Sequence, residues 1–198
     1  HGFDIIAIEA DWADAAILTS SGQRYWADQD TQPFIARGLP FSFRYGGLPC
    51  ADLLRDWPRT VETSETASRQ LWHVHWHDPK TGLRLTATVT VFKRYPAVDW
   101  VLEFENTGSA DTLLLEDIQP LDAQLRTGYF RTPVRLHSLC GDVCGENSFL
   151  PTETEVEPGK PVVLSPGGGR PSNGAFPFFN LQYGDKGLLG AIGWSGQW

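Results

Sequence analysis

The sequence predicts an all-β chain folded as a large antiparallel β-sandwich, and three observations carry that prediction. Apolar and polar residues alternate over long stretches, Gly, Pro, Asn and Asp part those stretches, and no strand-helix-strand alternation appears. With 198 residues, 41% hydrophobic and 20% charged, the chain can bury a substantial core and is read as one domain over residues 1–198.

In chain order, "FDIIAIEA" and "AAILTSSG" read as the first strands. Residues 40–59, "PFSFRYGGLPCADLLRDWPR", hold an aromatic strand, a Gly-Gly turn, a short helical stretch in "CADLLRDW", and a stop at Pro58. The segment from Leu83 to Gly108, "LRLTATVTVFKRYPAVDWVLEFENTG", alternates Leu83, Leu85, Ala87, Val89 and Val91 with Arg84, Thr86, Thr88 and Thr90. After Tyr95-Pro96 the pattern repeats in Val98, Trp100, Leu102 and Phe104, which specifies a long antiparallel hairpin with one wet face. "DTLLLEDIQPLDAQL" continues the strand-like series, with helical character in "DIQPLDAQL" that its own proline interrupts. "PTETEVEPGKP", Pro151 to Pro161, reads as an acidic surface connection, "PVVLSPGGG" as a further strand, and "FPFFNLQYGDKGLLGAIGWSGQW" as the closing strands.

Charge narrows the function classes. A formal net charge of −8 and a pI near 5.0 argue against nucleic acid or an anionic membrane surface, because such binders concentrate Lys and Arg to displace counterions. No window approaches the roughly 20 apolar residues that cross a bilayer, so no membrane partner is expected. "HGFDIIAIEA" lacks the basic start and apolar core of a signal peptide. His1 stands first and the chain has no Met, so the gene is expected to begin elsewhere.

Cys140 and Cys144 in "SLCGDVCGE" can pair across a tight loop or remain free as small buried groups, with Cys50 left over. The compartment's redox state does not follow from them. A zinc site needs two such pairs or a pair with spaced histidines, so no metal and no cofactor are expected.

Four patterns bear on chemistry. In "LWHVHWH" the strand period sends His73, His75 and His77 to one face and Trp72, Val74 and Trp76 to the other. The three imidazoles span roughly 13 Å, so one ion would reach two of them at most, and a polar outer face opposite a Trp-lined inner one is the simpler reading. "SPGGGRPSNG" lacks the Gly-Lys-Ser/Thr ending of a phosphate loop and no helix follows it. Its glycines instead let backbone pass close to another surface, with Arg170 placed to fork onto a carboxylate or a sugar hydroxyl. Glu116, Asp117, Asp122, Asp142 and Glu146 are carboxylates of the kind a glycosidase pairs across a cleft, but nothing in the sequence sets two of them face to face. Lastly, eight Trp and five Tyr sit among polar, Gly-rich stretches. Sugar rings stack on such aromatics while fixed polar groups read their hydroxyls, and the rings beside glycines, Tyr45, Trp194 and Trp198, are the candidates.

"PFSFRYGGLPCADLLRDW", "VDWVLEFENTG", "LEDIQPLD", "LHSLCGD", "GGGRPSNGAFPFFNLQ" and "GLLGAIGWSGQW", ordered blocks over roughly residues 40–198, resemble the amino-terminal β-sandwich of bacterial α-galactosidases of the melibiase type, glycoside hydrolase family thirty-six. That resemblance implies a supersandwich of the galactose-mutarotase-like kind. It also implies a (β/α)₈ barrel after the sandwich, carrying both catalytic aspartates of a retaining mechanism. This chain reaches Trp198 before any barrel, so no catalytic residue is carried over, the chain alone is expected to be inactive, and it is expected to be the amino-terminal part of a longer enzyme.

For the sandwich, the resemblance implies structural support, homo-oligomer contacts in the full-length protein, and loops near the sugar pocket of a barrel in cis or in a neighbouring subunit. Asp52 and Trp57, in the loop after the Gly-Gly turn, then face a partner surface, although Leu53, Leu54 and Trp57 can equally plug one end of the sandwich. The partner is an α-galactoside carbohydrate, and a secreted or periplasmic setting suits a polysaccharide-degrading enzyme. Two alternatives stay open: a stand-alone carbohydrate-binding module using the same aromatics, and a mutarotase-like epimerase, which needs a His and a carboxylate converging as acid and base.

Overall fold

The computed structural model describes residues 5–10, 16–18, 24–26, 41–95, 97–122, 124–126, 133–184 and 186–198. The chain is all-β and sandwich-like, as the alternation predicts. Among the described residues the strands are β1 (Ile5–Ala10), β2 (Ala16–Leu18), β3 (Arg24–Trp26), β4 (Ser42–Tyr45), β5 (Leu48–Pro49), β6 (Arg59–Glu65), β7 (Arg69–His77), β8 (Leu83–Phe92), β9 (Ala97–Asn106), β10 (Leu115–Gln119), β11 (Gln124–Arg126), β12 (Val134–Leu139), β13 (Pro151–Val156), β14 (Phe178–Tyr183) and β15 (Lys186–Ile192), and a short helix, α1, spans Cys50–Leu54. A nine-stranded antiparallel sheet runs β13-β12-β14-β15-β1-β9-β8-β7-β6. Two three-stranded sheets, β10-β4-β5 and β11-β2-β3, accompany it among the described residues.

Register explains why one half of the large sheet forms a core. Trp72 pairs with Val89 and Val89 with Trp100, Val74 with Ala87 and Ala87 with Leu102, Trp76 with Leu85 and Leu85 with Phe104. The alternating apolar positions Trp72, Val74 and Trp76 of β7, Leu83 to Val91 of β8 and Val98 to Phe104 of β9 therefore share one face, and the small sheet covers it. Phe41, just before β4, and Phe43 and Tyr45 within it recur every second residue and point into that face, with Phe43 edge-on to Phe104 at 5.2 Å and Phe41 edge-on to Trp76 at 6.1 Å. Trp100 is buried, and its indole N–H donates to the Pro120 carbonyl at 2.9 Å, which ties β9 to the end of β10. Burying each large apolar side chain contributes roughly 2–3 kcal/mol before ordering entropy, so this aromatic layer dominates the stability.

Helix α1 forms where "CADLLRDW" predicts it. Pro49 stands at its N-cap, and the Asp56 and Trp57 amides close its end on the Leu53 carbonyl at 3.0 and 3.1 Å. Leu53 and Leu54 rest half-buried on the core, the plugging role open to them in the sequence.

Three expectations give way. The described residues of "DIQPLDAQL" are not helical: β10 joins β4 and β11 joins β2 on either side of Pro120, because strand partners are available and the proline bars a helix. Residues 151–156 of the acidic connection form edge strand β13, where Thr152, Thr154 and Val156 favour the pleat and Pro151 takes the first position, which an edge tolerates. Conversely, "PVVL" at 161–164 is not a strand; flanked by prolines, it leaves Val163 77% exposed.

Candidate functional site

Beyond β12 and β13, three segments converge at one end of the large sheet. The first, residues 140–150, is closed at its base by the Cys140 amide donating to the Leu150 carbonyl at 2.9 Å. The Cys140 thiol donates to the Asn147 carbonyl at 2.9 Å and accepts from the Leu150 amide at 3.1 Å. Inside the loop, Asp142 Oδ1 accepts from the Cys144 amide and from the Ser148 hydroxyl, both at 2.8 Å. The Ser148 oxygen accepts in turn from the Val143 amide at 3.2 Å.

These bonds favour the ionised carboxylate. The Cys144 N–H, then the Ser148 hydroxyl, with a smaller contribution from the nearby Arg170 charge, hold Asp142 below its ordinary pKa. The same loop carries two non-glycine residues, Cys144 and Phe149, in left-handed backbone at φ 55° and 59°, the Phe149 amide donating to the Gly141 carbonyl at 3.3 Å. Such residues cost on the order of 1 kcal/mol each and persist where surrounding bonds over-determine them. Phe149 stands half-exposed with its ring at 90° to Phe176, centroids 5.8 Å apart.

The second segment is the glycine-rich loop. Gly141 is required here: a Cβ on it would lie 1.8 Å from the Ser172 carbonyl oxygen, and that carbonyl accepts from the Asp142 amide at 2.6 Å. The loop closes on itself through the Gly167 amide and Asn173 carbonyl at 2.8 Å, and through Asn173 Nδ2 and the Gly167 carbonyl at 3.2 Å. Arg170 stands exposed at its tip.

The third segment follows β15. Gln197 Oε1 accepts from the Gly169 amide at 3.2 Å, and the Trp198 indole N–H donates to the Pro171 carbonyl at 2.8 Å. Arg170, Trp194 and Trp198 thus belong to one cluster of loops, with both tryptophans half-buried. The site combines an exposed guanidinium, a carboxylate held ionised, and partly open aromatic rings.

The other sequence-derived candidates lie elsewhere, and two are corrected. Tyr45 is 2% exposed and Trp57 8%, packed edge to face at 5.9 Å, so neither ring has a face open to a sugar. Tyr45 follows Phe41 and Phe43 on the inward face of its strand, and only the glycines after it turn outward. Asp52 is exposed in the first turn of α1, which packs on β4 and β5. Among the carboxylates weighed for a catalytic pair, Asp142 organises its own loop and Asp117 sits at φ 48° in the bulge between β10 and β4.

The histidine strand divides as its period predicts. Trp72, Val74 and Trp76 are buried, while His73, His75 and His77 line the opposite face. Among the described residues no group of His, Cys, Asp and Glu is arranged to hold a metal ion, and Cys50, Cys140 and Cys144 are free thiols. Among the described residues, no helix is long and apolar enough to cross a membrane. Sequence reasoning passed over Ser148 and Phe149; Gly141-Asp142 was the available signal, a turn dipeptide that starts a self-bonded loop. No protein-family model, curated protein or solved structure matches the chain.

Proposed function

We propose that this chain is the non-catalytic sandwich portion of an α-galactosidase-like glycoside hydrolase acting on terminal α-galactosides, giving structural support and presenting its end loops toward the sugar pocket of a catalytic barrel. One observation carries the reading. "LHSLCGD", "GGGRPSNGAFPFFNLQ" and "GLLGAIGWSGQW", three of the blocks on which the resemblance rests, pack together through Asp142 and Ser172, Gly169 and Gln197, and Trp198 and Pro171. Blocks far apart in sequence thereby build one surface with sugar-compatible chemistry: aromatic faces, a fork of donors on Arg170 and the Asp142 carboxylate.

The test is hydrolysis of melibiose by the product of the full native gene, beside this chain alone. The proposal expects turnover by the former, none by the latter, and a loss of at least about tenfold in kcat/KM for Arg170→Ala or Trp198→Ala in the full-length protein. A full-length product that leaves melibiose intact overturns it. Saturable melibiose binding without turnover in any form of the protein would select the carbohydrate-binding module instead.

A further inference from the structure

The outer face of β6, β7 and β8 carries a separate feature. An open groove of about 430 Å³ is lined there by Pro58, Thr60, Glu62, His75, His77, Arg84 and Thr107. It lies on the other side of the sheet's centre from the loop cluster: β7 and β15 are four ladder spacings apart, roughly 19 Å.

Of the two imidazoles that line it, His75 is held in place, and His73, beside the groove on the same strand face, is held in the same way. His75 Nδ1 is hydrogen-bonded to Thr86 Oγ1 at 2.9 Å and His73 Nδ1 to Thr88 Oγ1 at 3.2 Å, and the two rings stack in parallel, 9° apart in plane and 6.4 Å between centroids. With Nδ1 committed to β8, each ring keeps Nε2 at its outer end, where it meets no hydrogen-bond partner among the described residues. Side chains fixed in this way lose little entropy when a ligand arrives.

The charges decide what the groove can take. Arg84 is paired with Glu105 across the β8-β9 ladder, and Glu62 supplies a second carboxylate directly across from His73. Arg84 and Glu105 offset each other, an anion meets the Glu62 carboxylate, and no group arranged to hold a metal cation exists among the described residues. What remains complementary is a neutral ligand rich in hydroxyls, able to accept from Arg84, to bond Nε2 and the Thr60 and Thr107 hydroxyls, to donate to Glu62, and to lay an apolar face on Pro58.

We propose that this groove is a second sugar site, binding a neutral saccharide on the outer face of the sheet, distinct from the loop cluster; the inference rests on the carbohydrate reading above. The experiment is a titration of the chain with melibiose, and separately with inorganic phosphate, followed by NMR of the imidazoles and of the Trp198 indole. Melibiose is expected to shift His75 and His77 saturably while phosphate does not. Thr86→Val, which releases the His75 ring at nearly constant volume, should weaken that binding about fivefold, and His77→Ala should do likewise if the first variant folds poorly. Shifts at Trp198 with none at His75 or His77 would overturn the second site and leave the proposed function standing. Shifts at neither would also overturn it, with the proposed function then judged by hydrolysis in the full-length protein. A response of His75 to phosphate and not to melibiose would overturn the neutral-ligand assignment.

Discussion

The Tyr45 hydroxyl lies 2.6 Å from Thr81 Oγ1, and the direction of that bond is fixed by its neighbours. Thr81 donates its only hydroxyl proton to Asp78 Oδ2 at 2.6 Å, so Tyr45 must be the donor to Thr81, and its own oxygen accepts from the Leu113 amide at 3.2 Å. A relay from a buried carboxylate through two hydroxyls to a backbone amide thus joins the β7-β8 turn, strand β4 and the segment before β10. Tyr45 is therefore an internal brace between the two layers.

Replacing Tyr45 with Phe keeps the ring and deletes the relay. Leu113 N–H and Thr81 Oγ1 then each lose a partner, and the variant is expected to be less stable by about 1–2 kcal/mol. Urea unfolding followed by tryptophan fluorescence reads this as a lower midpoint at unchanged slope. An unchanged midpoint would mean that water replaces the hydroxyl at no cost, and the brace would have to be abandoned.

Gly141→Ala tests the contact between the first two loops. A methyl group cannot share space with the Ser172 carbonyl, so the glycine-rich loop must move off and carry Pro171, the acceptor for Trp198, with it. The expected outcome is a shifted Trp198 indole N–H resonance and faster exchange of the Asp142 amide, with the β7-β9 core signals unmoved. Core unfolding instead would show that the loops and the sandwich are one cooperative unit.

Much of this was legible in the residues and some was not. The alternation in β7, β8 and β9 is long enough that only one register buries the alternating set, Trp72 to Trp76, Leu83 to Val91 and Val98 to Phe104, and the Trp and His faces of β7 follow from the same period. The inward direction of Tyr45 was also readable, since it shares the two-residue period of Phe41 and Phe43, but the glycines beside it drew attention to the surface. Strand β13 was hidden because an edge strand exposed on both faces has no apolar alternation to display; it exists because β12 offers it a ladder. The Asp142 loop was hidden for a different reason: its order comes from one carboxylate and one hydroxyl bonding local backbone amides, a pattern without hydrophobic periodicity.

That loop makes a pH prediction. Because the Cys144 N–H and the Ser148 hydroxyl lower the Asp142 pKa, the folded loop releases a proton more readily than the unfolded chain. Its stabilising contribution is complete above the unfolded carboxyl value of about 4 and is lost as pH falls through the lower folded value. Ser148→Ala should move the Asp142 carboxyl titration upward, and Arg170→Ala should move it less. Carboxyl NMR titration checks both, and a midpoint indifferent to Ser148 would refute the assignment of the bond.

The three thiols should separate by reactivity. Cys50 is 6% exposed, and burial raises its thiol pKa, with the Asp122 charge adding to the effect, so the reactive thiolate is scarce and shielded at neutral pH. Cys144 is exposed at the tip of its loop, whereas the Cys140 sulfur is occupied by the Asn147 carbonyl and the Leu150 amide. A disulfide reagent applied to the native protein should therefore label Cys144 first, Cys140 more slowly, and Cys50 only on unfolding. Mass spectrometry after timed quenching gives the order. Labelling of Cys50 at the rate of Cys144 would place that thiol outside the core and would contradict the packing of α1 against β4.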